Sequence, residues 1–273
     1  MRELQRKIIE ETGVKPQIDP AEEVERRTSF LAEYAKAAGA EGFVLGISGG
    51  VDSTLGGLLA QKAAEKLRSE DYQASFYALR LPHGVQHDEE DAALAMDFIK
   101  PDYAHTLNIE KAVTGVDVAF QEGFGRGLAD YHRGNVKARL RMIAQYAVAG
   151  EKNALVIGTD HGAESVTGFF TKYGDGGVDV QANFTLNKRQ IRQILKHLDS
   201  PKHLWSKAPT ADLLDDNPGQ LDEVELGFTY EQIDDYLEGR EIDPEAASRL
   251  EKQYLATRHK RTIAPTLLDD WWK

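Results

Sequence analysis

The sequence predicts an α/β protein built on a doubly wound, mostly parallel sheet flanked by helices. Short apolar runs, each too brief for a helix, recur between residues 43 and 157 and suit strands buried on both faces. Between them lie longer stretches with helix caps and one apolar side. Strands that alternate with helices cannot be joined by hairpins, so the chain needs right-handed crossovers and a parallel sheet.

The elements follow in order. Residues 3–12 read as a helix stopped by Gly13, and a second helix opens with Asp19 as cap, Pro20 at its first position and Glu22-Glu23 in its first turn, ending near Gly39. Residues 43–47 form the first strand. A helix over 53–68 presents Leu55, Leu58, Leu59, Ala63 and Leu67 on one side. A strand over 74–81 precedes an acid-first helix capped by Asp88 and ended by Pro101; then come a weaker strand over 103–107, a long helix over 128–148 and a buried strand over 154–157. The remainder is helical, with Asn187, Thr229 and Asp243-Pro244 as start signals.

The 273 residues show no repeat, low-complexity tract or linker, so one domain over 1–273 is expected. The absence of Cys excludes disulfides, zinc–cysteine clusters and a cysteine nucleophile, and fits a cytoplasmic protein. No apolar run approaches the roughly 20 residues that span a bilayer, and the start lacks a secretory leader, so no membrane partner is expected. Residues 212–251 hold 14 acids against Arg240 and Arg249, which accounts for the whole formal charge of −12. The rest is neutral, without the basic field that nucleic acid requires. The acidic stretch reads as a solvated helical face.

In open parallel sheets, ligands bind beyond the carboxyl ends of the strands. The first strand delivers Gly46, Ile47, Ser48, Gly49, Gly50, Val51, Asp52 and Ser53 directly ahead of a helix. The glycines admit a ligand close to the backbone, and the helix start offers free N–H groups to an anion. A Walker lysine is missing. Asp52 would repel a phosphate unless a cation lay between, and Mg²⁺ is the natural mediator; the structural alternative is that Asp52 merely caps the helix. Gly46-Ile47-Ser48-Gly49-Gly50 also fits the nucleophile elbow of serine hydrolases, with His161 or His259 as base, but a carboxylate four residues on would oppose the oxyanion. A third possibility is a binding module without turnover.

The strand over 154–157 delivers Thr159 and Glu164, hard oxygen ligands for Mg²⁺, with Asp160-His161 read as structural. Arg80 and Gln86 follow the second strand, where they could touch a nucleotide. Residues 171–179 place three glycines between Lys172 and Asp179 and suggest a mobile lid.

Taken together, Ser-Gly-Gly-x-Asp-Ser at 48–53, Arg-Leu-Pro-His-Gly at 80–84, Gly-Asn-Val-Lys-Ala-Arg at 134–139, Gly-Thr-Asp-His at 158–161 and the Gly-Phe-Phe-Thr-Lys-Tyr-Gly-Asp-Gly-Gly run at 168–177 resemble the ammonia-dependent NAD synthetases, members of the N-type ATP pyrophosphatase group. The resemblance implies an adenine nucleotide alpha hydrolase-like fold. It implies that residues 46–53 hold the phosphates of ATP, that Arg80, Gln86, Thr159, Lys188 and Thr210 also contact ATP, and that Asp52, Thr159 and Glu164 serve Mg²⁺. Deamido-NAD would meet Tyr34, Tyr131, Arg139, Tyr146, Phe169, Lys172, Asp179, Glu225, His259 and Lys260. Asp52, Lys188 and Asp175 are the catalytic candidates, Asp175 as base toward ammonium. The implied site lies at a homodimer interface, with Tyr131 coming from the neighbour. Ammonia is the implied nitrogen source, because the chain has neither cysteine nor spare length for a glutaminase. One departure is visible: Ala182-Asn183 stands where many relatives have Pro-Leu.

Overall fold

The computed structural model describes residues 1–84, 89–211, 213–216 and 219–272. In chain order its elements are α1 (Glu3–Thr12), α2 (Pro20–Ala38), β1 (Gly42–Gly46), α3 (Val51–Ser69), β2 (Ser75–Arg80), α4 (Glu89–Ile99), β3 (Tyr103–Thr106), α5 (Glu110–Phe124), α6 (Asp130–Lys152), β4 (Leu155–Gly158), α7 (Gly162–Thr167), β5 (Val180–Gln181), α8 (Lys188–His197), α9 (Lys202–Ser206), β6 (Thr210–Ala211), β7 (Gln220–Leu221), α10 (Asp222–Leu226), α11 (Tyr230–Leu237), α12 (Pro244–Ala256) and α13 (Arg258–Arg261).

The expected sheet is present. Its order is β3-β2-β1-β4-β5 and every neighbouring pair is parallel. β1 sits in the middle, with the chain winding outward through β2 on one side and through β4 on the other. The switch point therefore lies beyond the carboxyl ends of β1 and β4, where loops diverge and leave a crevice. β6 and β7 form a separate antiparallel pair.

Phe43, Leu45, Phe76, Ala78 and Ile157 of the sheet pack with Leu55, Leu59 and Leu67 of α3 and with Ile191, Ile194 and Leu195 of α8. On the other face Val44, Leu79 and Val156 meet Ala149 of α6. A second cluster, built around Ile8, Val166, Ile233, Tyr236, Leu237 and Leu250, joins α1, α7, α11 and α12. α3 is buried nearly all round, as a helix between the sheet and α2 must be.

Several elements carry no readable pattern. α5 buries only Val113, so no apolar stripe announces it. β5 and the β6–β7 pair have two residues per strand, below the length at which alternation is visible. The Asp88 cap lies outside the described residues.

The acidic stretch is not simply a solvated face. Asp222, Asp234, Glu238 and Glu251 are buried. Bases and polar groups from outside the stretch reach in to meet them: Arg2 holds Glu251 at 2.7 Å, Arg189 holds Glu238 at 2.7 Å, and Asn187 donates to Glu238 at 2.8 Å. The sequence pattern hides these partners because they are remote in the chain.

Asp102 ties α3 to the sheet. It accepts from the Phe76 amide at 2.9 Å, from Arg68 at 2.9 and 3.1 Å and from Gln61 at 3.2 Å. Burial alone would raise this carboxyl, but the Phe76 amide, Arg68 and Gln61 outweigh it and hold it below the ordinary range. An acid held low in the folded state stabilises the fold above its unfolded value and loses that contribution as pH falls through the folded one. Asp102→Asn is expected to cost about 1–2 kcal/mol at pH 7. In urea titrations the difference from wild type should shrink below about pH 4.

Candidate functional site

Gly50 stands at the N-cap of α3 with no side-chain cap, so the helix start keeps backbone donors for a ligand. Gly49 has φ +86°, and a Cβ there would lie 2.6 Å from the Ala92 nitrogen. Only glycine fits that turn. Ser48 and Ser53 stand Oγ to Oγ at 3.1 Å, and the Gly50 amide donates to Ser48 Oγ at 3.2 Å. No histidine is among the hydrogen-bond partners of Ser48 in the described residues, so the hydrolase alternative lacks its base.

Asp52 does not cap the helix. Its Oδ2 accepts from Lys188 Nζ at 2.7 Å, while Oδ1 faces His161 Nε2 at 3.5 Å. His161 in turn lies 3.4 Å from Glu164 Oε2, and the three residues offer ligand atoms within 4.8 Å of one another. Burial, and then Lys188, press His161 down to about 3, so the ring is neutral. Burial works against the charge of Lys188, yet Asp52 and Glu164 outweigh it and keep the ammonium protonated. Asp52 is held low mainly by Lys188 against its burial, whereas burial and the nearby Asp52 raise Glu164 well above its usual range. One cation among three ligand-bearing groups leaves Asp52 Oδ1 and both His161 nitrogens buried without hydrogen-bond partners. That unmet demand, with two carboxylates and the Thr159 segment beside it, fits a hard divalent cation.

Lys188 is placed by packing. Asn187 caps α8 and accepts from Gln190 at 2.9 Å, while Asp234 of α11 accepts from the Lys188 and Arg189 amides at 3.2 and 2.8 Å. The Lys188 ammonium lies 4.6 Å from the centre of the Tyr230 ring. Tyr230 donates to Asp222 at 3.1 Å. Tyr230, Asp222, Asp234 and the neutral role of His161 escaped sequence reasoning, because nothing local marks a polar residue that tertiary packing turns inward.

Of these groups, Asp52, Glu164 and Asp222 border a cavity of about 560 Å³. Gly46, Ile47, Ser48, Gly50, Val51, Asp52, Ser53, Thr159, Glu164, Phe169, Asp175, Thr210, Glu225 and Lys260 all line it, with Tyr131 of the same chain. Lys260 donates to the Gly168 and Phe170 carbonyls at 2.8 Å each. Asp175 faces the cavity and accepts from the Thr171 amide at 3.0 Å; burial raises its carboxyl despite that bond. Burial and the nearby Asp175 push Asp160 up to about 8.

Among the described residues, the remaining expected ones are not on the cavity wall. Arg80 pairs with Glu89, and Tyr34 stacks on Phe30 at 6.3 Å on α2. Tyr146 donates to Asp179 at 3.0 Å, Arg139 donates to the Lys172 carbonyl at 3.3 Å, and Lys172 donates to the His259 carbonyl. Gln86 lies outside the described residues. The proposed lid is a hydrogen-bonded turn, in which Thr171 Oγ1 donates to Asn135 at 2.8 Å and the Gly177 amide to the Gly174 carbonyl at 3.0 Å.

A glycine-lined helix start and a cluster of two carboxylates and a histidine at the switch point of a parallel sheet define an α/β nucleotide-handling protein of the adenine nucleotide alpha hydrolase-like fold. Residues 23–264 match the NAD synthase family model. The chain is 56% identical over 270 residues to the NH(3)-dependent NAD(+) synthetase of Bacillus licheniformis, covering 99% of each. It superimposes with a TM-score of 0.82 on the NAD+ synthetase of Burkholderia pseudomallei, at 46% identity over 94% of this chain and 95% of that one. The same score relates it to the NMN synthetase of Francisella tularensis, at 35% identity over 93% and 100% of the two chains. The chain belongs to the NAD synthase family.

Lys188→Met leaves Asp52 facing Glu164 without the buried ammonium. It is expected to lower stability by about 2–3 kcal/mol, somewhat less than for a wholly enclosed pair because Asp52 borders the cavity. The double variant with Asp52→Asn should recover most of that loss in urea denaturation.

Proposed function

We propose that the protein forms NAD by ATP- and Mg²⁺-dependent amidation of deamido-NAD with ammonia, through an acyl adenylate, releasing AMP and pyrophosphate. The observation that carries this proposal is the Asp52–Lys188 pair set beside the glycine-lined start of α3, with Glu164 facing it across the switch point. Family membership and the names of the relatives support the same reaction.

In the first step an oxygen of the nicotinate carboxylate attacks the α-phosphorus of ATP, and the bond to the β-phosphate breaks. Residues 46–53 supply donors to the departing pyrophosphate, and Lys188 adds a fixed positive charge at Asp52. Mg²⁺, held by Asp52, Glu164 and Thr159, would supply charge neutralisation for the triphosphate. In the second step ammonia attacks the acyl carbon and AMP departs with the former carboxylate oxygen. Asp175, raised by its surroundings and facing the cavity, takes the proton that ammonium must lose. The turn at 171–179 closes over the water-sensitive adenylate.

A second copy of the chain completes the dinucleotide site. Val116, Val118 and Phe124 of α5 and Ile143 of α6 are exposed, and Tyr34, Arg139, Tyr146 and Asp179 lie outside the cavity wall, as a site finished by a neighbour requires. The cytoplasm is the proposed compartment, in keeping with the absence of cysteine; no helix among the described residues is long and apolar enough to cross a membrane. The chain acts as one domain over 1–273.

Protein mixed with ATP, Mg²⁺, ammonium and deamido-NAD is expected to release pyrophosphate and AMP and to accumulate NAD. Release only with nicotinic acid mononucleotide in place of the dinucleotide would move the activity toward an NMN synthetase, the name printed for the Francisella relative. Binding of ATP without turnover would leave a module, and fluorophosphonate labelling at Ser48 a hydrolase. In the same assay Asp175→Asn should retain adenylation, read as pyrophosphate exchange into ATP, while amide formation slows by about 10²-fold.

Val118→Glu with Phe124→Glu should shift the protein from dimer to monomer in sedimentation velocity.

A further inference from the structure

We propose that Asn183 is a positioning residue for the nucleotide and cation site, a brace that fixes the spacing between the start of α3 and the Thr159 segment; this rests on the function proposed above. Asn183 is fully buried just past β5. Its Nδ2 donates to the Asp52 carbonyl at 2.9 Å and to the Thr159 carbonyl at 3.3 Å. Two carbonyl oxygens converge on one end of the side chain, so the amide nitrogen must occupy that end. The two residues it joins are those whose side chains would hold the cation from opposite sides of the switch point. Among the described residues the Asn183 side chain hydrogen-bonds to the Asp52 and Thr159 carbonyls and to neither carboxylate; it acts through the backbone.

The segment that presents Asn183 is held by hydrogen bonds from three sides. The Ala182 amide donates to the Gly158 carbonyl at 3.0 Å, and the Gly162 amide to the Leu186 carbonyl at 2.7 Å. Buried Arg27 of α2 donates to the Ala182 and Phe184 carbonyls at 2.8 and 2.7 Å and to Thr185 Oγ1 at 2.8 Å. Thr185 sits at φ +73°, a conformation that a β-branched residue keeps only when its surroundings impose it. A strained strap tied to β4, α2 and α7 is a rigid base from which one amide can set a distance.

Here the departure from Pro-Leu acquires a role. A leucine at 183 would fill similar volume but could link nothing. In this chain the spacing of the Asp52 and Thr159 segments depends on two hydrogen bonds rather than on packing alone.

Asn183→Leu removes both donors at nearly constant volume, and Asn183→Ala removes donors and volume together. Calorimetric titration with Mg²⁺ and a non-hydrolysable ATP analogue, which reads binding without turnover, is the primary measurement. Both variants are expected to weaken analogue binding by about fivefold or more and to raise the KM for ATP alike, with the KM for deamido-NAD unchanged and the melting temperature lower chiefly in Asn183→Ala. Wild-type binding in Asn183→Leu, or weakening in Asn183→Ala alone, would overturn the brace and leave a volume-filling role. Equal rises in both KM values would likewise overturn it. If the wild-type protein does not bind the Mg²⁺–analogue complex at all, the proposed function falls and takes the brace with it.

Discussion

The site depends on one buried ion pair. Lys188 is almost wholly enclosed, and Asp52, Glu164 and Asp222 share the space around it. A lone ammonium in that position would lose its proton, and the carboxylates without it would repel one another. Each makes the other tolerable, and both are held at the carboxyl ends of the central strands, where a triphosphate would meet them. The pair is weak support for global stability and strong support for a fixed arrangement of charge. α11 enforces it from behind, through Asp234 at the start of α8 and the Tyr230 ring against the ammonium.

How much of this the sequence discloses depends on whether the signal is local. The strands over residues 43–47, 74–81 and 154–157 are apolar runs between capped helices, and they appear with each end moved by one residue. Asp19, Asn187, Thr229 and Asp243 cap helices as their side chains suggest. α5 and β5 are invisible for opposite reasons: one has too little buried surface to leave a pattern, the other too few residues. In the site, the order of the glycines and Asp52 alone suggests a pocket for an anion and a cation. Nothing local discloses that Asn183 reaches Asp52 and Thr159, or that His161 lies between two acids. Those contacts exist only because distant segments pack, and a pattern of three or four residues cannot encode them.

The acidic stretch teaches the same lesson in charge. Counting acids suggests a surface, yet Asp222, Asp234, Glu238 and Glu251 face inward because Lys188, Arg189, Asn187 and Arg2 wait there. Net charge along a segment is a statement about sequence; burial is decided by partners elsewhere in the chain.

The sheet order has a consequence for how the molecule is made. β1 pairs with β4 only after roughly a hundred intervening residues have been supplied, and closing so long a loop is entropically slow. During synthesis the glycine turn and Asp52 emerge early, but the opposing wall and the lysine that neutralises them arrive much later. Until then the nascent chain carries half of a charged crevice, open to water and unable to select a nucleotide. Competence is conferred on the polypeptide as a late event, when the second half of the sheet docks.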